Sequence, residues 1–305
     1  AEVLICDRHR GYATTRWAQR QRLPCIEVQH HAAHAAALVG EQAGDSAPGD
    51  WLVFTWDGVG YGSGEELWGG EAVHGGPGRW RRVASMRPFR LPGGERAGRE
   101  PWRSAVSLAW ELGRHAEARR LVAQLRERAD PAGDYDLLYH AWQRGLNMPH
   151  TSAVGRLFDA AAALTGVCRT ASFEGQGPMW LEALAGQSAS PLALPLPLGP
   201  DGILRSDWRG LVEAMMETSR SVSERAALFH STLAGVLVQQ ALAVRETRRF
   251  DYVGLCGGVF QNRRLSEACA AGLQQQGIEV RLCERLPCND AGLSFGQVIE
   301  YAFSG

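Results

Sequence analysis

The sequence predicts an α/β fold with parallel strands at both ends of the chain and a long helical insertion between them. Strand–turn–helix units open and close the chain, the middle lacks strand-like alternation, and an apolar hairpin stands between the first unit and the helices. Strands joined through helices imply parallel pairing covered by helices. Val3 to Cys6 is a short apolar run, Tyr12 to Arg22 has helical character, and Cys25 to Val28 forms a second strand. Ala-rich sequence then runs helically from His30 to about Ala43. Gly44 to Asp50 breaks the pattern as a linker. Trp51 to Trp56 reads as a buried strand running into Asp57, and Leu67 to His74 and Arg79 to Met86 flank Gly75-Gly76-Pro77-Gly78 as a hairpin. Helices fill Pro101 to about Gly186, a Pro-rich stretch covers Pro191 to Pro200, and helices resume at Trp208 with a long one from Ser223 to Arg248. The end alternates again: strand Tyr252 to Leu255, helix from about Asn262, strand Ile278 to Cys283, helix from Gly292.

A chain of 305 residues suffices for one large two-lobed domain or two ordinary ones. With 45% hydrophobic residues, 21% charged residues and a net charge of -1, no basic tail or stripe is left to recruit a polyanion, which argues against a nucleic-acid partner. The seven cysteines include no Cys-x-x-Cys pair, and nothing near Cys283 and Cys288 completes a zinc knuckle. They read as reduced, partly buried thiols of a cytoplasmic protein. No unbroken stretch reaches the ~18 apolar residues of a membrane span. The opening Ala1-Glu2-Val3-Leu4 has neither Met nor a signal-peptide pattern, so the chain reads as a fragment or a processed product.

Four constellations carry chemistry. In His30-His31-Ala32-Ala33-His34, a helix start places residues 30 and 34 about 40° apart on one face, close enough to share a divalent metal. Two such histidines are equally at home in a core, and His31 in the second position excludes the zinc-protease motif. Asp57-Gly58-Val59-Gly60-Tyr61-Gly62 follows the Trp51 strand. A carboxylate at a strand end can ligate a cation, while glycines let backbone N–H groups approach a phosphate; a plain glycine turn is the alternative. Gly257-Gly258-Val259-Phe260-Gln261-Asn262 is another strand–glycine–helix corner, where backbone and Asn262 can meet a nucleoside. In Asn289-Asp290-Ala291-Gly292, Asp290 is either a ligand or an N-cap. Converged, two His and two Asp make a mixed N/O site suited to Fe(II) or Zn(II) rather than Mg(II).

These stretches, taken in order, resemble the C-terminal domain of the HypF hydrogenase-maturation family along nearly the whole chain. The resemblance is carried by Val28 to His34, Asp57 to Gly62, Trp68-Gly69-Gly70-Glu71, Arg87 to Gly94, Arg99-Glu100-Pro101-Trp102, Gly155 to Ala160, Phe173 to Gln176, Gly257 to Asn262 and Asn289-Asp290. It implies a two-lobed fold like actin, Hsp70 and sugar kinases, with residues 1–46 and 292–305 in a first lobe and 51–290 in a second. The second lobe would contain the helical insertion, about residues 101–250, and the first lobe's opening strands look missing or shortened. By the same resemblance, His30, His34, Asp57 and Asp290 hold a metal. Asp57, Gly58, Gly60, Gly62, Asp159, Gly175, Gly257, Gly258 and Asn262 contact ATP, AMP or carbamoyl-adenylate.

The implied reaction passes a carbamoyl group from carbamoyl-adenylate to the C-terminal cysteine of the partner HypE, on the way to the cyanide ligand of a [NiFe] centre. Similar families modify tRNA adenosine (TsaD) or O-carbamoylate antibiotics, so O-carbamoyl transfer to a small molecule and threonylcarbamoyl transfer to tRNA are the alternatives; a nucleotide-binding scaffold is a third. No general base is assigned, and His31 and Glu71 read as structural or supporting groups. Two departures from the family stand out. The acylphosphatase-like, zinc-finger and YrdC-like domains of complete members are not in this sequence, and the stretch after Tyr61-Gly62 reads Ser63-Gly64-Glu65-Glu66.

Overall fold

The N-terminal apolar runs pair as β1 (Leu4–Asp7) and β2 (Cys25–Val28), a two-stranded parallel sheet in which Asp7 lies opposite Val28. α1 (Ala13–Ala18) joins them. It stops short of the Arg22 limit because Gln19 to Leu23 offer exposed side chains and no apolar face to bury. The computed structural model describes residues 2–43, 49–62, 64, 66–125, 131–187 and 189–304; most of the Gly44 to Asp50 linker lies outside them.

α2 (His30–Ala43) follows β2 after a single residue, and residues 30–39 are buried without a break. With three buried histidines among its Ala, Leu and Val residues, this stretch has no solvent face. It packs against the larger sheet on one side and the C-terminal helix on the other.

The larger sheet is built from β3 (Trp51–Tyr61), β4 (Leu67–Gly75) and β5 (Arg81–Met86), which are antiparallel neighbours, with β6 (Phe89–Arg90) pairing beside them. Four helices come next in the chain, α3 (Trp102–Glu111), α4 (His115–Ala123), α5 (Pro131–Gln143) and, after β7 (His150–Thr151), α6 (Val154–Leu164). α7 (Gln176–Leu184), β8 (Leu204–Ser206), α8 (Arg209–Met216) and α9 (Val222–Arg245) complete the insertion. The chain then returns to the sheet as β9 (Tyr252–Cys256), α10 (Arg263–Gln275) and β10 (Val280–Leu282), and ends in α11 (Leu293–Ala302). The sheet order is β10-β9-β3-β4-β5-β8, with β9 parallel to both β3 and β10.

The expected hairpin and the parallel strand–helix units are present. β6, β7 and β8 escape a sequence reading because two or three residues carry no alternation. β3 differs too: the strand expected to stop at Trp56 continues to Tyr61, with a register shift against β4 between Trp56 and Gly60. Asp57 and its glycines therefore lie in a bulged strand rather than a strand–helix corner.

The core surrounds the fully buried Phe54, Trp56, Phe89, Phe158, Trp208 and Phe229. Among the described residues α9 is the one helix with the length and composition to cross a membrane, which a search for unbroken apolar runs passes over because Ser231, Thr232, Gln239 and Gln240 interrupt it. It serves as a core helix. Its apolar window is 67% buried, a Ser221–Glu224 capping box starts it, and Gln240 hydrogen-bonds Ser85 and Ser206 inside the protein.

The βαβα unit of the N-terminus and that of the C-terminus exchange their last helices. α2 packs on β3, β4, β9 and β10, whereas α11 packs on β1, β2 and α2. The two helices touch at Gly296, where an added Cβ would stand 1.9 Å from the carbonyl oxygen of Ala33. Gly296→Ala must push the helices apart, and overpacking of this kind costs about 1–3 kcal/mol. Urea denaturation should show that loss, and a variant as stable as the parent would show the contact to be loose.

Candidate metal and nucleotide site

The first turn of α2 points at the bulge of β3. A β-bulge bends its strand and re-aims the side chain it carries, and here Asp57 leaves the ladder to meet two imidazoles. Its Oδ2 lies 3.0 Å from His30 Nε2 and 3.4 Å from His34 Nε2, while Oδ1 accepts the N–H of Gly258 at 3.1 Å. Gly60 makes the approach possible: a Cβ there would fall 2.6 Å from the His30 ring and 2.8 Å from that of His31.

Asp290 completes the cluster from the turn before α11, its Oδ1 3.6 Å from His30 Nε2 and 3.4 Å from His34 Nε2. The cap reading of Asp290 is not met, because Asn289 takes the capping role by accepting the N–H of Ala291. The carboxylate of Asp290 is left to face the imidazoles with its side chain 56% exposed, which makes this the open side of the cluster.

The donor set fits a cation. Ligand atoms from His30, His34, Asp57 and Asp290 all lie within 4.8 Å of one another. Four donors at about 2.1 Å from a metal are roughly 3–3.5 Å apart, close to the 3.0–3.6 Å separations here. Nε2 of His34 is buried and makes no hydrogen bond of good geometry, so the group is aimed inward without a partner of its own.

Electrostatics follow from this crowding. Burial works against charge on His30, but hydrogen bonds to Asp57 and Asp7 outweigh it and raise its pKa to about 10. Burial likewise opposes charge on His34, and Asp290 and Asp57 raise it. Burial alone would push Asp57 up, yet His30 and His34 hold it well below the usual carboxylate range. His31 goes the other way: burial and the neighbouring His30 keep it neutral, and neither ring nitrogen is hydrogen-bonded. Glu71 is fully committed, accepting from Gly69, Gly70, Ser152 and Arg82.

Beside the cluster lies a second group of polar side chains. Gly58 faces Arg156 and Glu174, and the N-terminus of α6 comes so close that a Cβ on Gly155 would stand 2.7 Å from Gly58 Cα. Arg156 reaches within 3.0 Å of Asp159, although Asp159 Oδ2 gains no hydrogen bond from it. Gly175 starts α7 with φ 77°. Gly62 is required by the Trp68 ring, 2.2 Å from where its Cβ would be, and Gly257 by φ 100° and the Trp56 carbonyl. Asn262 is pinned on both sides, accepting from Leu265 N–H as the cap of α10 and donating to the buried His230. The nine residues expected around a nucleotide thus divide between groups held by the protein itself and Asp159, which has capacity to spare.

Two residues went unnoticed in the sequence. Asp7 binds the outer nitrogen of His30 at 2.8 Å. Tyr12 brings its ring within 6.3 Å of the same imidazole, where burial and then Asp290 raise its pKa. No spacing rule marks either one; the β1–β2 register brings Asp7 to the site, and the turn after it brings Tyr12.

Asp159 supports a pH test. Burial raises its pKa to about 6, above the unfolded value of about 3.9. A raised carboxyl costs stability that is absent below the unfolded value and complete above the folded one. Asp159→Asn should therefore stabilise the ligand-free chain above pH 6 by roughly 1–3 kcal/mol, with the gain vanishing below pH 4. Equal stability at pH 8 would contradict it.

Comparison with known proteins adds the family. The profile described as "HypF Kae1-like domain" matches residues 1–41, and that described as "Carbamoyltransferase, Kae1-like Domain, second subdomain" matches residues 53–297. Carbamoyltransferase HypF of Rhizobium leguminosarum bv. viciae is 37% identical over 97% of this chain, which spans 37% of that relative. A carbamoyltransferase HypF homolog of Cupriavidus necator is 37% identical, over 97% of this chain and 76% of the relative. The crystal structure of full-length HypF in the phosphate- and nucleotide-bound form superposes with a TM-score of 0.88 at 32% identity, covering 98% of this chain and 46% of that one. A more distant match, a tRNA N6-adenosine threonylcarbamoyltransferase of Prochlorococcus marinus, is 30% identical over half of the chain. The α/β fold that the resemblance implied is thereby that of the Kae1-like domain, and the chain belongs to the HypF carbamoyltransferase family.

Proposed function

We propose that this chain transfers a carbamoyl group from carbamoyl-adenylate to the C-terminal cysteine of HypE, with a divalent cation held by His30, His34, Asp57 and Asp290. The observation that carries the reading is the convergence of these four donors next to the Gly58–Arg156–Asp159 group. In this reading residues 1–46 and 292–305 make one lobe and 51–290 the other, which the return of α11 onto β1 and β2 supports. Seven free thiols suit a cytoplasmic setting.

A bound Fe(II) or Zn(II) would supply Lewis-acid stabilisation to a carbamoyl or phosphate oxygen. The chain's own groups do the rest. Arg156 and the N–H of Gly58 offset the phosphate charge, and Asp159, with an unbonded oxygen, accepts from a ribose hydroxyl. Gly60, Gly62, Gly175, Gly257, Gly258 and Asn262 line the nucleotide while holding the backbone around it. The acceptor sulfur attacks the carbamoyl carbon, the bond from that carbon to the phosphate oxygen breaks, and AMP leaves as the thiol proton passes to solvent. Cysteine is a few per cent ionised near neutrality, so no side chain need act as general base. Glu71, with its oxygens committed to N–H and O–H donors, keeps to a structural part.

The match to a tRNA-modifying relative over half of the chain supports one alternative acceptor, tRNA, against which stands the net charge of -1. Supplying carbamoyl-adenylate together with HypE, tRNA or an aminoglycoside separates the acceptors. His34→Ala should lose at least about a hundredfold in transfer to HypE, with the circular dichroism of the parent retained. Undiminished transfer by that variant would remove the cation from the reaction.

A further inference from the structure

Taking the four-donor metal reading as its basis, we infer that Asp7 is the positioning residue for His30, fixing which way that imidazole presents its nitrogen to the cation. Asp7 is buried at the end of β1, and its pairing with Val28 brings it alongside the first turn of α2. Its Oδ2 lies 2.8 Å from His30 Nδ1. A carboxylate only accepts, so Nδ1 carries the proton on that side and Nε2 is turned toward Asp57 and Asp290.

The carboxylate is itself held. Oδ1 accepts the N–H of His9 at 2.7 Å, and the main-chain oxygen of Asp7 accepts the hydroxyl of Thr15 at 3.0 Å. A group anchored at both ends cannot follow a wandering ring, so the ring follows it. Outer partners of this kind set both direction and basicity of a ligating histidine. The same carboxylate also hangs the turn that carries Tyr12, whose N–H reaches the His9 carbonyl at 3.1 Å. The orientation of a ligand and the placement of an aromatic side chain at the site thus share one support.

Cobalt(II) titration of the metal-free chain tests this, read by a competing chromophoric chelator and by the visible spectrum of the bound ion. Asp7→Asn keeps size and removes the two-oxygen acceptor; it should weaken cobalt binding by about 10–100-fold and change the ligand-field bands. Thr15→Ala breaks the bond to the Asp7 carbonyl while leaving the carboxylate and its bond from the His9 N–H in place, and should lose clearly less affinity than Asp7→Asn. Unchanged affinity and bands in Asp7→Asn would overturn the inference, as would an equal loss in both variants, since that would reduce Asp7 to holding the turn. If the parent chain and His34→Ala bind cobalt alike, the metal reading fails and this inference falls with it; a parent that binds beside an unaffected Asp7→Asn sinks the inference alone.

Discussion

The arrangement rests on one buried carboxylate that has to be neutralised. Asp57 stands on a central strand, out of water, where an unpaired charge costs several kcal/mol or is simply lost to protonation. What keeps it ionised is the first turn of α2, which presents two imidazoles to the same oxygen. β3 cannot stay in the core without α2 against it, and α2 cannot turn without stranding the charge. Protons and a cation are then competing answers to one electrostatic demand: either the imidazoles are protonated, or a divalent ion takes the place between them and the carboxylates. Binding of a metal must therefore release protons.

The rest of the fold keeps Asp290 within reach of that pair. Asp290 comes from the far end of the chain, and two contacts bring it home. α11 presses on α2 through Gly296, and Glu41, buried near the end of α2, accepts the backbone N–H groups of Glu284, Arg285 and Leu286. The helix that supplies the histidines thus also holds the segment leading to the second carboxylate. Exchange of the terminal helices between the two βαβα units places this junction at a seam between two sheets, where concave sites form preferentially.

Much of this was legible in the sequence, and the reasons separate cleanly. His30 and His34 follow from helical spacing, and Asp57 from its position after a strongly apolar run, since both signals are local. Asp290 was visible only as an alternative to a cap, and the cap role falls to its neighbour Asn289. Asp7 left no local signal because its meaning lies in the register of a two-stranded sheet, which pairs residues 21 apart. The glycines were read as a phosphate cradle, yet Gly60 and Gly62 answer first to the His30, His31 and Trp68 rings. A glycine pattern shows that something comes close to the backbone; it does not say whether that is a ligand or a side chain.

Several poorly satisfied polar groups lie around this junction. His34 Nε2 and Asp159 Oδ2 are buried without a hydrogen bond, His31 is buried with neither nitrogen bonded, and burial makes Asp159 resist ionisation. In an ordinary core, each such group would be a defect worth about 1–3 kcal/mol. Close neighbours are satisfied by the protein itself: Glu71 has four donors, and Asn262 both caps a helix and bonds His230. Buried atoms without a partner also occur in the helical insertion, on Ser104, Arg225 and Gln240, so what sets the cluster apart is that its ligand atoms converge on one another. In the proposed reading a cation answers His34 and a hydroxyl-bearing nucleotide answers Asp159, whereas His31 stays a packed neutral ring.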